Sequence, residues 1–565
     1  MKWIKNNTNA KLSFIEREEK LFGTKDDPEK IYHSECYEIK KMKDFINILK
    51  ANILSGSFIY VFCDYDCDGV MSGAEWELIF RGLRHSNYKI RAPRRMSEGY
   101  GMSDKIVDEI LTYPIGLVIM VDNGIAAIEQ SKRLRDNGWQ VMILDHHLAS
   151  SDGVPNVDVL IDPEAIPDSA DFTHYCGAGL TYKVAQYLSN LPETDEMHIN
   201  ETTRKKVLSF AAIATIADVV YLIDEEKKTY DNYLIVKEGL RTILQDDGRT
   251  IALYVLLRLT GLDTFVNEEN FGYKIGPIIN AIGRIRDDGA NEAIQIMTFD
   301  EPNFSKAEEL VKTLIDANNL RKEIQNTAVK KTIEEVGVPE YNIIIAKSDD
   351  VPEGVAGLVA GDLCKRFEMP SIMLVKTDSG ILKGSARSTE NVNIKKLLDD
   401  HADLIYQYGG HAVAAGIKVL PDKYDQLKSA LESRVGLYAP KEEVLSYDYD
   451  IMPEQAEEVM KQLKCFAPYG PGNPKPVFRI SIDIFKTKYS DGYEILGAEK
   501  KVIKLKNRYI SAINFSGGKE KVMDIIDENG GEKPSRLQLI GTLSENTYYG
   551  RTSIQLMFED VKVVA

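Results

Sequence analysis

The stretch Phe58-Ile59-Tyr60-Val61-Phe62-Cys63-Asp64-Tyr65-Asp66-Cys67-Asp68-Gly69 decides how this chain is read. An unbroken apolar run rich in β-branched and aromatic side chains suits a strand buried on both faces, as in a parallel sheet. Here it runs straight into aspartates. The construction recurs: Leu117–Val121 runs into Asp122, Val141-Met142-Ile143-Leu144 into Asp145-His146-His147, and Val159–Ile161 into Asp162. In open parallel sheets the ligand crevice lies just past the carboxyl ends of the strands. The sequence therefore gathers acids and two histidines along one edge. Buried carboxylates without a counter-charge repel one another, and a divalent cation is their natural partner.

The chain has 565 residues, 44% hydrophobic and 28% charged, which is ordinary globular composition and predicts roughly three or four domains of about 150 residues. No charged-then-apolar leader opens it and no apolar run approaches the ~18 residues of a membrane span, so a cytoplasmic protein with no membrane association is expected. The six cysteines are scattered, which points to reduced thiols. Cys63 and Cys67 flank the first acidic motif, but no second pair completes a zinc site. A net charge of −17 argues against a broadly basic nucleic-acid binder but leaves room for a local basic groove. Arg91, Arg94 and Arg95 form one candidate groove. Lys500, Lys501, Lys504, Lys506 and Arg508 form a second basic cluster.

The polar, helix-favouring segment from about Glu301 to Glu335 predicts a long connecting helix. A second α/β unit follows, with strands expected at 341–346 and 371–375 and a close-packed helix start at Gly354-Val355-Ala356-Gly357. The final part, turn-rich and then strand-rich, suggests a small β-barrel such as the OB-fold.

The spacing of Asp64, Asp66 and Asp68 places three carboxylates on one side of an extended strand end. Two divalent ions about 3.5–4 Å apart at such acids would polarise a phosphate and supply hydroxide near neutral pH. Asp64-Tyr65-Asp66-Cys67-Asp68-Gly69, Asp122-Asn123-Gly124-Ile125, Asp145-His146-His147 and Ile216-Ala217-Asp218-Val219-Val220 resemble, in order, the motifs of the DHH phosphoesterase superfamily. Further elements resemble the RecJ family of single-strand-specific exonucleases. These are Pro93-Arg94-Arg95-Met96-Ser97-Glu98-Gly99-Tyr100-Gly101, Tyr175-Cys176-Gly177-Ala178-Gly179, Asn280-Ala281-Ile282-Gly283-Arg284, Gly384-Ser385-Ala386-Arg387-Ser388 and Gly409-Gly410-His411-Ala412. The stretch Pro468–Phe478 is similar to the opening of that family's OB-fold.

The resemblance implies roles for residues. Asp66, Asp68, Asp122, His146 and Asp218 look like metal ligands for two ions, Mn²⁺ or Mg²⁺, with Asp122 bridging both. Asp64 and Asp145 fit as additional acids, Asp145 orienting an imidazole, and His147 as a phosphate contact or proton donor. Arg284 would stabilise the scissile phosphate. Arg95, Ser385 and Arg387 would read the 5′ end, with His411 and Gly410 lining the facing domain. Two positions depart from relatives: Phe62 stands where some carry a histidine, and Val351-Pro352 where a Trp-His pair is common.

The implied protein is an α/β exonuclease acting 5′→3′ on single-stranded DNA in repair and recombination. It would be a monomer served by a helicase and a single-strand-binding protein. Its expected domains are an N-terminal extension packed on the catalytic domain (1–50), a parallel-sheet DHH catalytic domain (51–300), the connecting helix (301–338), a DHH-associated substrate-binding domain (339–440) and a C-terminal OB-fold β-barrel (441–565). Two rivals are a DHH phosphodiesterase for short oligonucleotides or cyclic dinucleotides, and a non-catalytic replication scaffold. The terminal β-domain and the Asn280–Arg284 element disfavour the first. The intact acids with His146 disfavour the second.

Overall fold

In the computed structural model the strands Tyr88–Arg91, Ile59–Cys63, Leu117–Val121, Gln140–Leu144 and Val159–Ile161 lie side by side in that order, every neighbouring pair parallel. The structure describes residues 2–6, 38–149, 152–227, 229–337, 343–377, 380–434, 444–483, 493–496, 502–515, 520, 522–525, 536–548 and 551–563. The central strands Ile59–Cys63 and Leu117–Val121 are buried at every position, which is why they read as continuous apolar runs. One face of this sheet packs on the helices Cys67–Gly82, Gly177–Ser189 and Glu201–Ala217, with Trp76, Phe80, Phe172 and Phe210 in a shared core. The opposite face holds Tyr60, Phe62, Met120 and Ile143. Phe62 therefore points into the second core, on the side away from Cys63, and offers nothing to the acids beyond the strand.

A single helix, Phe304–Val336, leads out of this domain. The second α/β domain has a mixed sheet in the order Gln407–Gly410, Ala414–Val419, Leu382–Arg387, Ser371–Lys376, Ile344–Ser348, with only the last pair parallel. The helix Glu353–Phe367 covers one face of it. The expected first strand begins later than the sequence suggested, at Ile344, and residues 338–342 lie outside the described residues. These two domains belong to one compact unit, 37–441.

The other unit joins 442–565 with the N-terminus. A seven-stranded sheet holds it together, ordered Tyr449–Ile451, Phe478–Asp483, Arg536–Tyr548, Arg551–Val563, Ser511–Asn514, Val502–Lys506, Tyr493–Leu496. The long hairpin at its centre carries a bulge at Ile540/Gly541. The strand Lys2–Lys5 pairs in parallel with Val444–Tyr447. Trp3 donates its indole N–H to Asp560 Oδ2 (2.8 Å), and Lys5 bonds Asp450 Oδ2 (3.0 Å). This corrects the expectation that residues 1–50 pack as a block on the catalytic domain. The first strand belongs to the C-terminal unit, and Phe45, Ile46 and Leu49 of the helix Met42–Ser55 belong to the catalytic core. Lys500, Lys501 and Tyr549 lie outside the described residues. Of the other late residues, Lys506 is ion-paired with Glu494, and Tyr509 and Phe515 are exposed. No helix among the described residues is long and apolar enough to cross a membrane.

Candidate metal centre and cleft

The first motif does not continue as an extended strand. The strand ends at Cys63 and the chain turns at once into the helix Cys67–Gly82, with Asp66 as its N-cap. Asp66 Oδ1 accepts from the amides of Asp68 (3.0 Å) and Gly69 (3.2 Å), as cap residues do. Gly69 is needed because a Cβ there would lie 2.2 Å from the Asp64 carbonyl oxygen. The acids thus converge through a strand-to-helix turn, and strand alternation plays no part. Asp68, inside the first turn, accepts from the amides of Gly177 (2.6 Å) and Ala178 (2.8 Å) at the start of the helix Gly177–Ser189. A helix N-terminus favours a negative charge. This is the role of Tyr175-Cys176-Gly177-Ala178-Gly179, which sequence reading noted without assigning. A Cβ on Gly177 would meet Asp122 Cβ at 2.5 Å.

Asp122 follows its strand in the left-handed region (φ 59°). Its Oδ1 lies 3.0 Å from His146 Nε2. The same nitrogen lies 3.7 Å from Asp68 and 3.6 Å from Asp218, the latter capping the helix Glu201–Ala217. Two sets result: Asp64, Asp66 and Asp122, and Asp68, His146 and Asp218. In each set the potential ligand atoms lie within 4.8 Å of one another, and a third set, Asp122, His146 and His147, links them. Burial, reinforced by Asp66, raises the Asp64 carboxyl well above the usual range. Burial and neighbouring acids likewise raise Asp66 and Asp122 and take Asp218 to about 9. Burial holds His146 below the ordinary imidazole value, as a neutral ligand requires. Asp64 Oδ1 is buried without a hydrogen-bond partner. Clustered oxygen donors, a neutral imidazole and an orphaned carboxylate oxygen fit hard divalent cations.

Asp145 differs from these acids. Its Oδ1 accepts from the amide of His146 (2.8 Å) and from His147 Nδ1 (2.8 Å), and its Oδ2 from the amide of Ile125 (2.8 Å). Burial works to raise it, but these bonds outweigh burial and hold it below the usual range. The same contact lifts His147 to about 9 against the lowering effect of burial. Asp162, the fourth strand-end acid, joins neither set. It bonds the amide of Ala165 (2.9 Å), and burial raises it to about 7.

The arginines divide. Arg91 is buried and bound to Glu98 (2.5 Å) and Glu109 (2.7 Å), and Arg94 pairs with Asp288 (3.1 Å), so the expected three-arginine groove is not formed. Arg95 stacks instead on Tyr65, 4.3 Å from the ring centroid. Arg284 ends the helix Gly276–Ile285 and donates to the Gly354 carbonyl of the second domain (3.1 Å). Burial and the charge of Arg95 lower it to about 10. Arg387 donates to Ser385 Oγ (2.5 Å). Among the described residues no carboxylate pairs with Arg95, Arg284 or Arg387. Cations held near acids without neutralising partners are suited to an anionic ligand.

A cavity of about 670 Å³ opens over Asp145, His146 and His147, with Tyr100, Asn123 and His411 on its walls. His411 comes from the second domain, so the cavity lies between the two α/β domains, whereas Gly410 beside it is not among the lining residues. Tyr100, quoted in the Pro93–Gly101 element but given no role from sequence, has its hydroxyl 3.4 Å from His147 Nε2. Val351 and Pro352 line a second cavity of about 620 Å³ with Met96, Lys383 and Lys418.

The description DHH family, N-terminal domain, matches residues 58–215, DHHA1 domain 340–436 and RecJ OB domain 447–560. The single-stranded-DNA-specific exonuclease RecJ of Bacillus subtilis is 29% identical over 549 residues, covering 93% of this chain and 64% of that protein. The chain thus spans just under two thirds of that relative's length. RecJ from Thermus thermophilus crystallised with Mn²⁺ shares the fold at a TM-score of 0.75, with 22% identity over 97% of this chain and 74% of that one. An exonuclease RecJ bound to manganese aligns at 0.59 with 25% identity, covering 71% of this chain and 96% of that one. The chain thus carries DHH, DHHA1 and RecJ OB domains in this order, and over most of its length it is similar to RecJ exonucleases.

Proposed function

We propose that this chain is a metal-dependent nuclease that takes single-stranded DNA by its 5′ end and hydrolyses it 5′→3′ to mononucleotides, in repair and recombination. The observation that carries the reading is a set of three aspartates and an acid–histidine set linked through Asp122 and His146, together with arginines that no carboxylate neutralises. The relative named as a single-stranded-DNA-specific exonuclease supports the substrate. The manganese-bound exonuclease supports the ions, Mn²⁺ or Mg²⁺.

Asp64, Asp66 and Asp122 would hold one ion, and Asp68, His146 and Asp218 the second, with Asp122 facing both. Such ions, when bound, polarise a phosphodiester and lower the pKa of water. Asp145 fixes the ring of His147 through Nδ1, leaving Nε2 to contact phosphate or deliver a proton. Arg284 meets the charge that grows on the scissile phosphate. Arg95, Ser385 and Arg387 grip a terminal phosphate, while His411 and Gly410 close the far wall and leave room for one strand. The C-terminal OB domain holds the strand further along through backbone charge and base stacking. A helicase and a single-strand-binding protein would generate and present such strands to a monomer in the cytoplasm.

The test is a nuclease assay on 5′-labelled single-stranded DNA, duplex DNA and RNA, with Mn²⁺, Mg²⁺ or EDTA. Release of labelled mononucleotide from the single strand alone, lost with EDTA, is expected. Cleavage confined to dinucleotides or cyclic dinucleotides would overturn the reading.

A further inference from the structure

Arg95 and Arg284 come from segments far apart in sequence, yet one set of hydrogen bonds locks them into a single block. Arg284 closes its helix, the chain extends at Arg286, and the next helix starts at Gly289. Between them stand Asp287 and Asp288. Asp287 Oδ1 accepts from the amides of Met96 (2.8 Å) and Ser97 (3.1 Å), and its Oδ2 from the Ser97 hydroxyl (2.6 Å). Asp288 Oδ1 accepts from Arg94 Nε (3.1 Å). Asn291 closes the other end: its Oδ1 accepts from the Ala92 amide (2.8 Å) and its Nδ2 donates to the Ala92 carbonyl (3.0 Å).

Every residue bonded lies within three of Arg95, on both sides of it, while the Arg95 side chain itself is left to stack on Tyr65. Glu98 adds an internal brace, bonding the Arg94 amide (2.8 Å) and Arg91 (2.5 Å). Loops of this size are ordinarily mobile. This one is tied to the turn that follows Arg284.

We infer that Asp287 is a positioning residue that fixes the distance between the arginine gripping the strand's 5′ end and the arginine at the scissile phosphate, and so sets the length of the released product. The inference rests on the proposed function. If the end is held by Arg95 and the cut is made by Arg284, a rigid spacing between them admits one nucleotide. A loosened spacing admits more than one. Asp287 touches neither phosphate. It acts through the amides of Met96 and Ser97 and the Ser97 hydroxyl, so its loss should change register and end recognition more than bond-breaking.

The experiment uses the full chain and a single strand labelled within its first three nucleotides, with a 5′-phosphate or a 5′-hydroxyl end. Products are resolved by length at early times, with kcat and KM measured for each end. Asp287→Ala should add di- and trinucleotide products and lower the 5′-phosphate over 5′-hydroxyl preference about tenfold, the effect of losing charge-assisted hydrogen bonds. The loss should fall mainly in KM for the phosphorylated strand. Asp287→Asn keeps one acceptor oxygen and should restore part of both readouts. Ser97→Ala removes a single bond and serves if the aspartate variants do not fold. A folded Asp287→Ala protein with unaltered product length and end preference, or with only kcat lowered, would overturn the inference. So would Ser97→Ala without any shift in product length. An inactive parent protein would instead sink the proposed function on which it rests.

Discussion

The two α/β domains of the larger unit handle charge in opposite ways. In the first, parallel strands deliver Asp64, Asp122 and Asp145 to one edge, and Asp66 and Asp68 follow in the next turn. Among Asp64, Asp66, Asp122 and Asp218 no lysine or arginine pairs with a carboxylate in the described structure. In the second, the mixed sheet presents Arg387 and Ser385 on the strand Leu382–Arg387, again without a carboxylate partner. Among the described residues, the acid cluster of the first domain lacks paired cations, and Arg387 of the second lacks a paired anion. A phosphate with its metal ions supplies both, and it does so only where the domains meet. The lesson is that uncompensated charge, more than the amount of charge, marks the site. Arg91 and Glu109 are as buried or as charged as the site residues, but they satisfy each other and take no part.

The sharpest way to break the comparison is to remove one strand-end charge without disturbing the backbone. Asn tolerates the left-handed conformation of residue 122 better than most residues, so Asp122→Asn isolates the carboxylate. Turnover with Mn²⁺ should fall by roughly 10³-fold or more, the scale expected when a preorganised electrostatic element is lost. The metal-free variant should also melt higher than the metal-free parent at neutral pH. The sign follows from the raised Asp122 carboxyl. The folded group resists ionising, the unfolded one does not, and the resulting penalty grows above the unfolded pKa and vanishes below it. The gain in melting temperature should therefore shrink as pH falls toward 4. Normal turnover in the variant would refute the assignment of the acid edge.

A second intervention asks whether the two domains suffice. A protein covering 37–441 keeps the whole larger unit. It must lack the N-terminal strand as well as the C-terminal unit, since Lys2–Lys5 pairs with Val444–Tyr447. Long strands should bind about a hundredfold more weakly, and the slope of log affinity against log salt should flatten by roughly two, as phosphate contacts are lost. Cleavage of very short oligonucleotides should persist. An unchanged salt slope would mean that the smaller unit does not hold DNA.

Much of this was legible in sequence. Parallel strands buried on both faces announce themselves as apolar runs, and an aspartate directly after one has few places to go. The acids Asp122 and Asp145 and the histidine at 146 were readable for that reason. What was hidden depended on partners remote in sequence. Whether Arg91 faces a ligand or a glutamate is decided by Glu98 and Glu109, and nothing local to Arg91 says so. The extended geometry expected for Asp66 and Asp68 failed because an aspartate's cap bonds compete with strand continuation. The four residues Lys2-Trp3-Ile4-Lys5 carry no alternating pattern and cannot reveal that their partner strand begins at Val444.

The basic side of the comparison is tested by Arg387→Ala. If Arg387 and Ser385 grip a terminal phosphate, the truncation loses about 1.5–3 kcal/mol of charge-assisted bonding, and preference for a 5′-phosphate should drop about tenfold or more. Metal affinity should not move, because the residue lies on the other domain's sheet. Competition binding of 5′-phosphorylated and 5′-hydroxyl strands with Ca²⁺ in place of Mn²⁺ would read the preference without turnover. An unchanged ratio would place the end pocket elsewhere.

The smallest effect should come from the compensated charges, which serve as the control. Glu109 accepts from Tyr60 (3.0 Å), Lys89 (3.1 Å) and Arg91 (2.7 Å). Burial works to raise its carboxyl, but the Lys89 hydrogen bond and the Arg91 charge outweigh it and leave the group below the usual range. A lowered acid contributes stability above its unfolded pKa of about 4.3 and loses it as pH falls through the folded value. Glu109→Gln should therefore cost about 1 kcal/mol at pH 7, as expected for partly exposed charge-assisted bonds. It should cost progressively less below pH 5, where the parent loses the same interaction. Urea unfolding across that range would show the two stability curves converging at low pH. End preference and product length should hold, since Glu98 still bonds both Arg91 and the Arg94 amide. If this variant instead impaired metal-dependent turnover as severely as Asp122→Asn, satisfied and unsatisfied charges would be equivalent here, and the distinction drawn between the two kinds of site would fail.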